Sequence, residues 1–291
     1  MALPKKIASP PPSAVDNLLV RVDDIVQQRK HSSALSSMRV HQIALFEIAP
    51  WDDDQRAIPN VLARAALFTT RHAREPREDC VGLIVYNYNA DVHITYTGKE
   101  LRAADDELVF QQCLEFAKRR LLGAPIWFSF HEMCDAVGWQ RNGGAYKRLE
   151  ACLTRLQASA LQIESKRIRR LESLSLIRRF SVHERGTRNA FCEVMIEEDM
   201  AVLFAGNHYS KLTWLKYRDL TPTARRLFDW VASHREPYPL KLATFQKMCG
   251  SRMAREARWK EHTGDACAEL CASELIEDAF VKGDEIVFRR V

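Results

Sequence analysis

Four short strings in this sequence carry residue types that could do chemistry. Tyr96-Thr-Gly-Lys99 has the Tyr-x-x-Lys spacing of enzymes that nick DNA through a tyrosyl phosphodiester, but the His-hydrophobe-His metal motif that such chemistry needs is absent. Gly98-Lys99 is followed by Glu100, so there is no phosphate-cradling G-x-x-x-x-G-K-[ST] loop. His131-Glu132 opens a zinc-protease string, yet Asp135 stands where the second histidine would have to be. Cys267 and Cys271 lie one helical turn apart, with no His or Cys partner at zinc-finger spacing. The expectation is a protein that is not an enzyme, with no catalytic residues, no metal and no cofactor.

Charge points to binding instead. Between Trp139 and Phe191 stand twelve Lys and Arg against four Glu, a net +8 in a chain whose total is +5, so the remainder is net −3. A cationic surface of this kind displaces counterions from a phosphate backbone. The candidate nucleic-acid contacts in this stretch are Arg141, Asn142, Lys147, Arg148 and Arg155 on a turn and helix, and Lys166, Arg167, Arg169 and Arg170 in a loop.

The elements that must position these residues repeat. Pro125 to Gly138 and Pro237 to Gly250 share an interval of 13 residues, with apolar positions coinciding at Phe128 and Leu240, Phe130 and Leu242, Met133 and Phe245, and Val137 and Cys249. Leu156-Gln-Ala-Ser-Ala-Leu161 then matches Leu270-Cys-Ala-Ser-Glu-Leu275. In the first copy the patterning predicts a helix over 107–122, an extended run at 125–130, a short helix over 131–137 stopped by Gly138, and a long helix over 145–159. Strands follow at 161–163, 174–182 and 191–196, with the basic loop between the first two acting as a wing. In the second copy Thr221-Pro222 caps a helix running to about His234. A strand at 238–242, a short helix at 243–249, a long helix at 253–273 with a break near His262-Thr-Gly264, and a hairpin at 276–290 complete it.

This order is that of a winged helix, whose long second helix enters the major groove while its hairpin meets the adjacent backbone. The expected fold is α+β: tandem winged-helix domains with a flexible N-terminal arm. The arm covers 1–50, the first domain 51–205 with an added hairpin at 81–97, and the second domain 206–291. In the second copy Arg252, Arg255, Arg258 and Lys260 fall at the start of the long helix.

At 291 residues there is chain enough for two cores. A hydrophobic share of 46% with 28% charged residues excludes a wholly disordered or fibrous chain. No apolar run is long enough for a membrane span, and no apolar stretch follows Lys5 and Lys6 as a secretory signal would require. The expected setting is the cytoplasm, with no membrane partner and all eight cysteines reduced.

The arm holds one string of interest, His41-Gln42-Ile43-Ala44-Leu45-Phe46. Exposed apolar residues in such an arm suggest a docking peptide that orders on a partner. Gln42, Leu45 and Phe46 are similar to the pentapeptide by which bacterial replication proteins bind the sliding clamp, with Ile43 and Ala44 departing from its commonest form.

With paired winged helices, a basic surface and this peptide, the chain resembles the iteron-binding plasmid replication initiators, over nearly its whole length. The resemblance implies binding to tandem direct repeats (iterons) in a plasmid origin and opening of an adjacent A·T-rich segment, with single-stranded A·T-rich DNA as a further ligand. It also implies recruitment of the host replicative helicase and sliding clamp, and self-association into an inactive dimer beside a DNA-binding monomer. The alternative is a dimeric winged-helix transcriptional repressor without origin melting. A module that binds only proteins is a further rival.

Overall fold

Two buried helices, each capped by an oxygen-bearing side chain, organise the architecture. The computed structural model describes residues 51–87, 92–118, 120, 123–165, 170–197, 200–204 and 209–289. The expected arm at 1–50 lies outside the described residues, as do residues 88–91.

Helix α2 (Asp106–Ala117) is the first of the pair; it follows β1 (Gln55–Pro59), α1 (Asn60–Ala63), β2 (Phe68–Thr69), β3 (Asp79–Asn87), β4 (Val92–Lys99) and β5 (Leu101–Arg102). After it come β6 (Ile126–Ser129), α3 (Phe130–Ala136), α4 (Gly143–Gln157), β7 (Ala160–Ser165), β8 (Arg170–Leu174), β9 (Arg179–His183) and β10 (Phe191–Met195). Next are α5 (Ala201–Phe204), β11 (Tyr209–Thr213) and α6 (Trp214–Asp219). The second buried helix, α7 (Pro222–Ala232), is followed by β12 (Leu240–Lys241), α8 (Leu242–Met248), α9 (Glu256–Ala272), β13 (Asp278–Lys282) and β14 (Glu285–Arg289).

The internal repeat is structural. The run α2, β6, α3, α4, β9, β10 has the same order as α7, β12, α8, α9, β13, β14, and each ends in a three-stranded antiparallel sheet, ordered β6-β10-β9 and β12-β14-β13. The paired apolar positions Phe128 and Leu240, Phe130 and Leu242, Met133 and Phe245, and Val137 and Cys249 are all buried. Gly138 and Gly250 end the two short helices with φ of +74° and +59°, which L side chains rarely adopt. The long helix of the second copy runs unbroken through Gly264, correcting the expected interruption: Thr263 and Ala266 are buried and hold that turn against the core.

Local chemistry sets the element ends. Ser129 and Glu132 form a reciprocal capping box on α3, with Glu132 N–H donating to Ser129 Oγ at 3.1 Å and Ser129 N–H to Glu132 Oε2 at 2.6 Å. Asn142 caps α4 by accepting from the Ala145 N–H at 2.9 Å, and Thr221 caps α7, whose first turn holds Pro222.

The basic loop is not a wing of the first unit. Strands β7 and β8 pair with each other and with β4 in a separate four-stranded sheet, β3-β4-β7-β8. The reason is packing: Leu161, Ile163 and Leu174 point to the core face opposite Ile94 and Tyr96, so the hairpin joins the strands at 79–99. The expected strand over 174–182 is two strands in different sheets. Between them Leu176 and Ile177 are consecutively buried beneath the end of α4, where the Leu176 N–H donates to Ser159 Oγ at 3.1 Å. The hairpin turn of the β6-β10-β9 sheet therefore lies at 184–190.

The two copies share buried ground. Strand β1 pairs with β11 across the expected boundary near residue 205, and α1 packs on α7. Arg226 on α7 is wholly buried and donates to the carbonyls of Ala63 and Ala65, while Arg225 donates to Ala103 O at 2.7 Å. None of the described helices is long and apolar enough to cross a membrane.

Candidate nucleic-acid interface

Helix α4 is amphipathic: Leu149, Cys152, Leu153 and Leu156 are buried, and Lys147 and Arg148 face outward. Arg141, in the turn before it, is bound through Nε and Nη2 by the two carboxylate oxygens of Asp135, with its Nε 2.6 Å from Oδ1. That pairing holds the Asp135 carboxyl below the usual carboxylate range, and it must be exchanged before Arg141 can bind another anion. Asn142 is exposed, and its amide oxygen is already spent on the cap. Arg148 lies over the Trp139 ring at 4.1 Å and donates to Ala104 O at 3.0 Å, which fixes the direction of its guanidinium. Lys147 is exposed.

Arg155 must be removed from the outer surface. Its Nε donates to Asp106 Oδ1 at 2.9 Å and its side chain is 15% exposed, so it neutralises a buried carboxylate rather than facing solvent. Asp106 sits in the first turn of α2, also paired with Arg77 at 2.6 Å. Burial, and then the neighbouring Asp105 charge, push the Asp106 pKa up; burial opposes but Arg77 prevails in holding that of Asp105 down. Leaving either carboxylate unpaired there is costly, which is why the arginine turns inward. Asp105, Asp106 and Cys152 have ligand atoms within 4.8 Å of one another, but both carboxylates are taken by Arg77 and Arg155.

Of the loop cations, Lys166, Arg167 and Arg169 lie outside the described residues, and Arg170 begins β8. The turn joining β9 to β10 carries two cations of the basic run that are not among the expected contacts. Arg185 pairs with Glu150 of α4 at 2.7 Å and Arg188 is exposed, while Arg179, at the other end of β9, pairs with Glu193 at 3.0 Å. The signal that could have found them is the strand pair itself: the hairpin that returns to pair with 126–129 carries the turn next to α4.

In the second copy, Arg255 occupies the N-cap position of α9, and Arg258 and Lys260 are exposed on its first turns. Arg252, just before, pairs with Glu78, which leads into β3. Each copy thus presents one long helix with outward cations beside a two-stranded hairpin, a shape and charge that can seat in a groove lined by phosphates.

The other chemical strings are spent internally. Tyr96 is buried and its hydroxyl donates to Lys99 O at 2.6 Å. Glu132 is half of a capping box, and Cys271 Sγ accepts from the Ala279 N–H at 3.1 Å. All eight cysteines are free thiols. Gln42, Leu45 and Phe46 lie outside the described residues.

Fold and surface together define a two-headed α+β protein whose halves carry matching basic helices. The family model described as "TrfA protein" matches residues 13–290. The plasmid replication initiator protein TrfA of Escherichia coli is 50% identical over 278 residues, covering 96% of this chain and 73% of that protein. This chain belongs to the TrfA family. Among solved structures, a selenomethionine derivative of domains 2 and 3 of RctB superposes with a TM-score of 0.56 at 12% identity, covering 78% of this chain and 89% of that one. A second structure of RctB domains 2–3 gives 0.52 at 12% identity, covering 77% and 84%. At that identity the likeness is one of fold.

Proposed function

We propose that this chain initiates plasmid replication, the role that the name of its Escherichia coli relative gives to that protein, and that it does so by binding repeated duplex sites with two winged helices. The observation that carries the reading is the repeated order of helix, strand, short helix, long helix and hairpin, each copy closed by a three-stranded sheet of the same topology. In this reading α4 and α9 are the recognition helices, and the wings are the turns at 184–190 and at Gly283-Asp284. Lys147, Arg255, Arg258 and Lys260 approach DNA directly, Arg141 after exchanging Asp135 and Arg148 after exchanging Asp105 and Ala104 O, while Arg188, and Arg185 once released from Glu150, meet phosphates from the wing.

Two heads in one chain read two successive major-groove faces, so the site spans about 15–20 bp. Monomers on neighbouring iterons strain the DNA, and A·T-rich steps yield first, which exposes single strands. No covalent chemistry is required of the protein, and the helicase and the clamp are host partners, the clamp taken through Gln42, Leu45 and Phe46. The arm, first domain and second domain divide at about residues 50 and 205. A dimer is the storage form; Val81, Leu83 and Ile84, exposed on the edge strand β3, offer it an apolar surface. Membership of the family favours this reading over the repressor.

The test is selection of bound duplexes from a random pool at about 0.15 M salt, where non-specific binding is suppressed. One enriched motif of about 15–20 bp is expected; no enrichment would overturn sequence-specific binding.

A further inference from the structure

The short helix α6 joins the two copies, and it is bonded to both at points next to their long helices. On one side the Trp214 Nε1–H donates to Ala136 O at 2.7 Å, and Arg218 Nη1 donates to Asp135 O and Ala136 O, each at 3.0 Å. Those carbonyls belong to the last turn of α3, which stops at Gly138 and leads through Trp139 to Arg141 into α4. On the other side Thr221, two residues beyond α6, gives both its N–H and its hydroxyl to Glu269 in the last turns of α9, at 2.7 and 2.6 Å. Lys216 pairs with Glu274 just past the end of that helix, at 3.0 Å.

The side chains that make this link are themselves held. Trp214 is buried, its N–H bonds to Asp54 O at 2.8 Å, and the Arg56 guanidinium lies over its ring at 4.9 Å. Arg218 packs against Gly138, where an added Cβ would come within 3.6 Å of its Nε. Hydrogen bonds fix direction as well as distance, and these lie next to both long helices.

We propose that Trp214 and Arg218 are positioning residues: a brace that fixes the rotation and spacing of α4 relative to α9, so that the protein reads the distance between the two halves of its DNA site as strictly as it reads their bases. This rests on the two-headed reading above. Each base pair added between the half-sites turns the second by about 34° around the duplex, which a rigid pair of heads cannot follow.

The experiment measures affinity for the selected duplex and for versions with one base pair added or removed at its midpoint, using the unsubstituted parent chain and the Arg218→Ala and Trp214→Phe variants. The parent is expected to lose about tenfold or more on either change, a loss comparable to a mismatched base pair. Both variants are expected to bind the native spacing nearly as well, because Arg225 and Arg226 still tie the copies together, and to lose several-fold less on the altered spacings. Equal penalties in variants and parent would overturn the brace. If melting curves show that Arg218→Ala does not fold, Trp214→Phe decides, since it keeps a buried ring and loses only the donor. A parent indifferent to spacing, on a motif of full length, overturns the brace and leaves the two-headed reading standing. A selected motif of half that length overturns the two-headed reading itself.

Discussion

Arg226 of the second copy lies 3.5 Å from Glu107 of the first, both wholly buried, with Asp229 2.7 Å from the same guanidinium. One cation thus faces two carboxylates, and Tyr217 donates its hydroxyl to Asp229 at 3.0 Å. Burial first, and then the Asp229 charge, push the Glu107 pKa up to about 8, so at neutral pH this carboxyl holds a proton. Arg226→Met should cost about 3–5 kcal/mol in urea unfolding, because it strands Asp229. Glu107→Gln should cost far less at pH 7, because the amide reproduces the protonated acid.

The same group sets a pH dependence. The folded state keeps a proton that the unfolded chain releases near the ordinary carboxylate value of about 4.3, so its stabilising contribution is complete below that value and is lost as pH rises through about 8. Unfolding measured at pH 6 and pH 9 should show Glu107→Gln gaining on the parent as pH rises. Parallel pH dependences would remove Glu107 from this role.

Two cations one face apart on α4 should behave oppositely. Arg155→Ala leaves Asp106 with Arg77 alone and should cost about 3 kcal/mol of stability. Lys147→Ala should leave the melting temperature unchanged, weaken duplexes of every sequence alike, and lower the salt slope of binding by about one. Anisotropy titrations across salt, beside thermal melts, separate the two; a salt slope changed only by Arg155→Ala would reverse the assignment.

Gly250 and Gly138 end equivalent helices but differ in surroundings. A Cβ at Gly250 would meet Thr69 Cγ2 at 2.7 Å, while at Gly138 the nearest atom is 3.6 Å away. Gly138→Ala should cost about 1–2 kcal/mol from the backbone alone, and Gly250→Ala more. Adding Thr69→Ser, which deletes that methyl, should recover the excess in the double variant; additive costs would mean that the clash is not its source.

Much of this was legible in the sequence, because the repeat is written in buried residues. Phe128, Phe130, Met133 and Val137 recur as Leu240, Leu242, Phe245 and Cys249, and each pair occupies the same place in the same element. Periodicity could not say which sheet the hairpin at 160–174 joins, because alternation fixes the buried face of a strand and not its neighbour. That ambiguity is why a wing is expected at Lys166 to Arg170, whereas the turn of the β6-β10-β9 sheet is the one that carries Arg185 and Arg188. Arg155 departs from its expected outward face for a related reason: its partner Asp106 is 49 residues away, so its inward turn is set by tertiary contact.

The arm peptide has its own test. Phe46→Ala should abolish capture by immobilised sliding clamp and leave duplex affinity unchanged. Loss of both would mean that the segment packs on the first copy instead.

The claim that each copy reads its own half of the site is tested most directly by strand-cleavage footprinting of one iteron-length duplex with the parent protein and with Arg258→Glu. The parent should protect about 15–20 bp, and the variant should lose protection over one contiguous half only. Protection that fades evenly across both halves, or does not change, would contradict it.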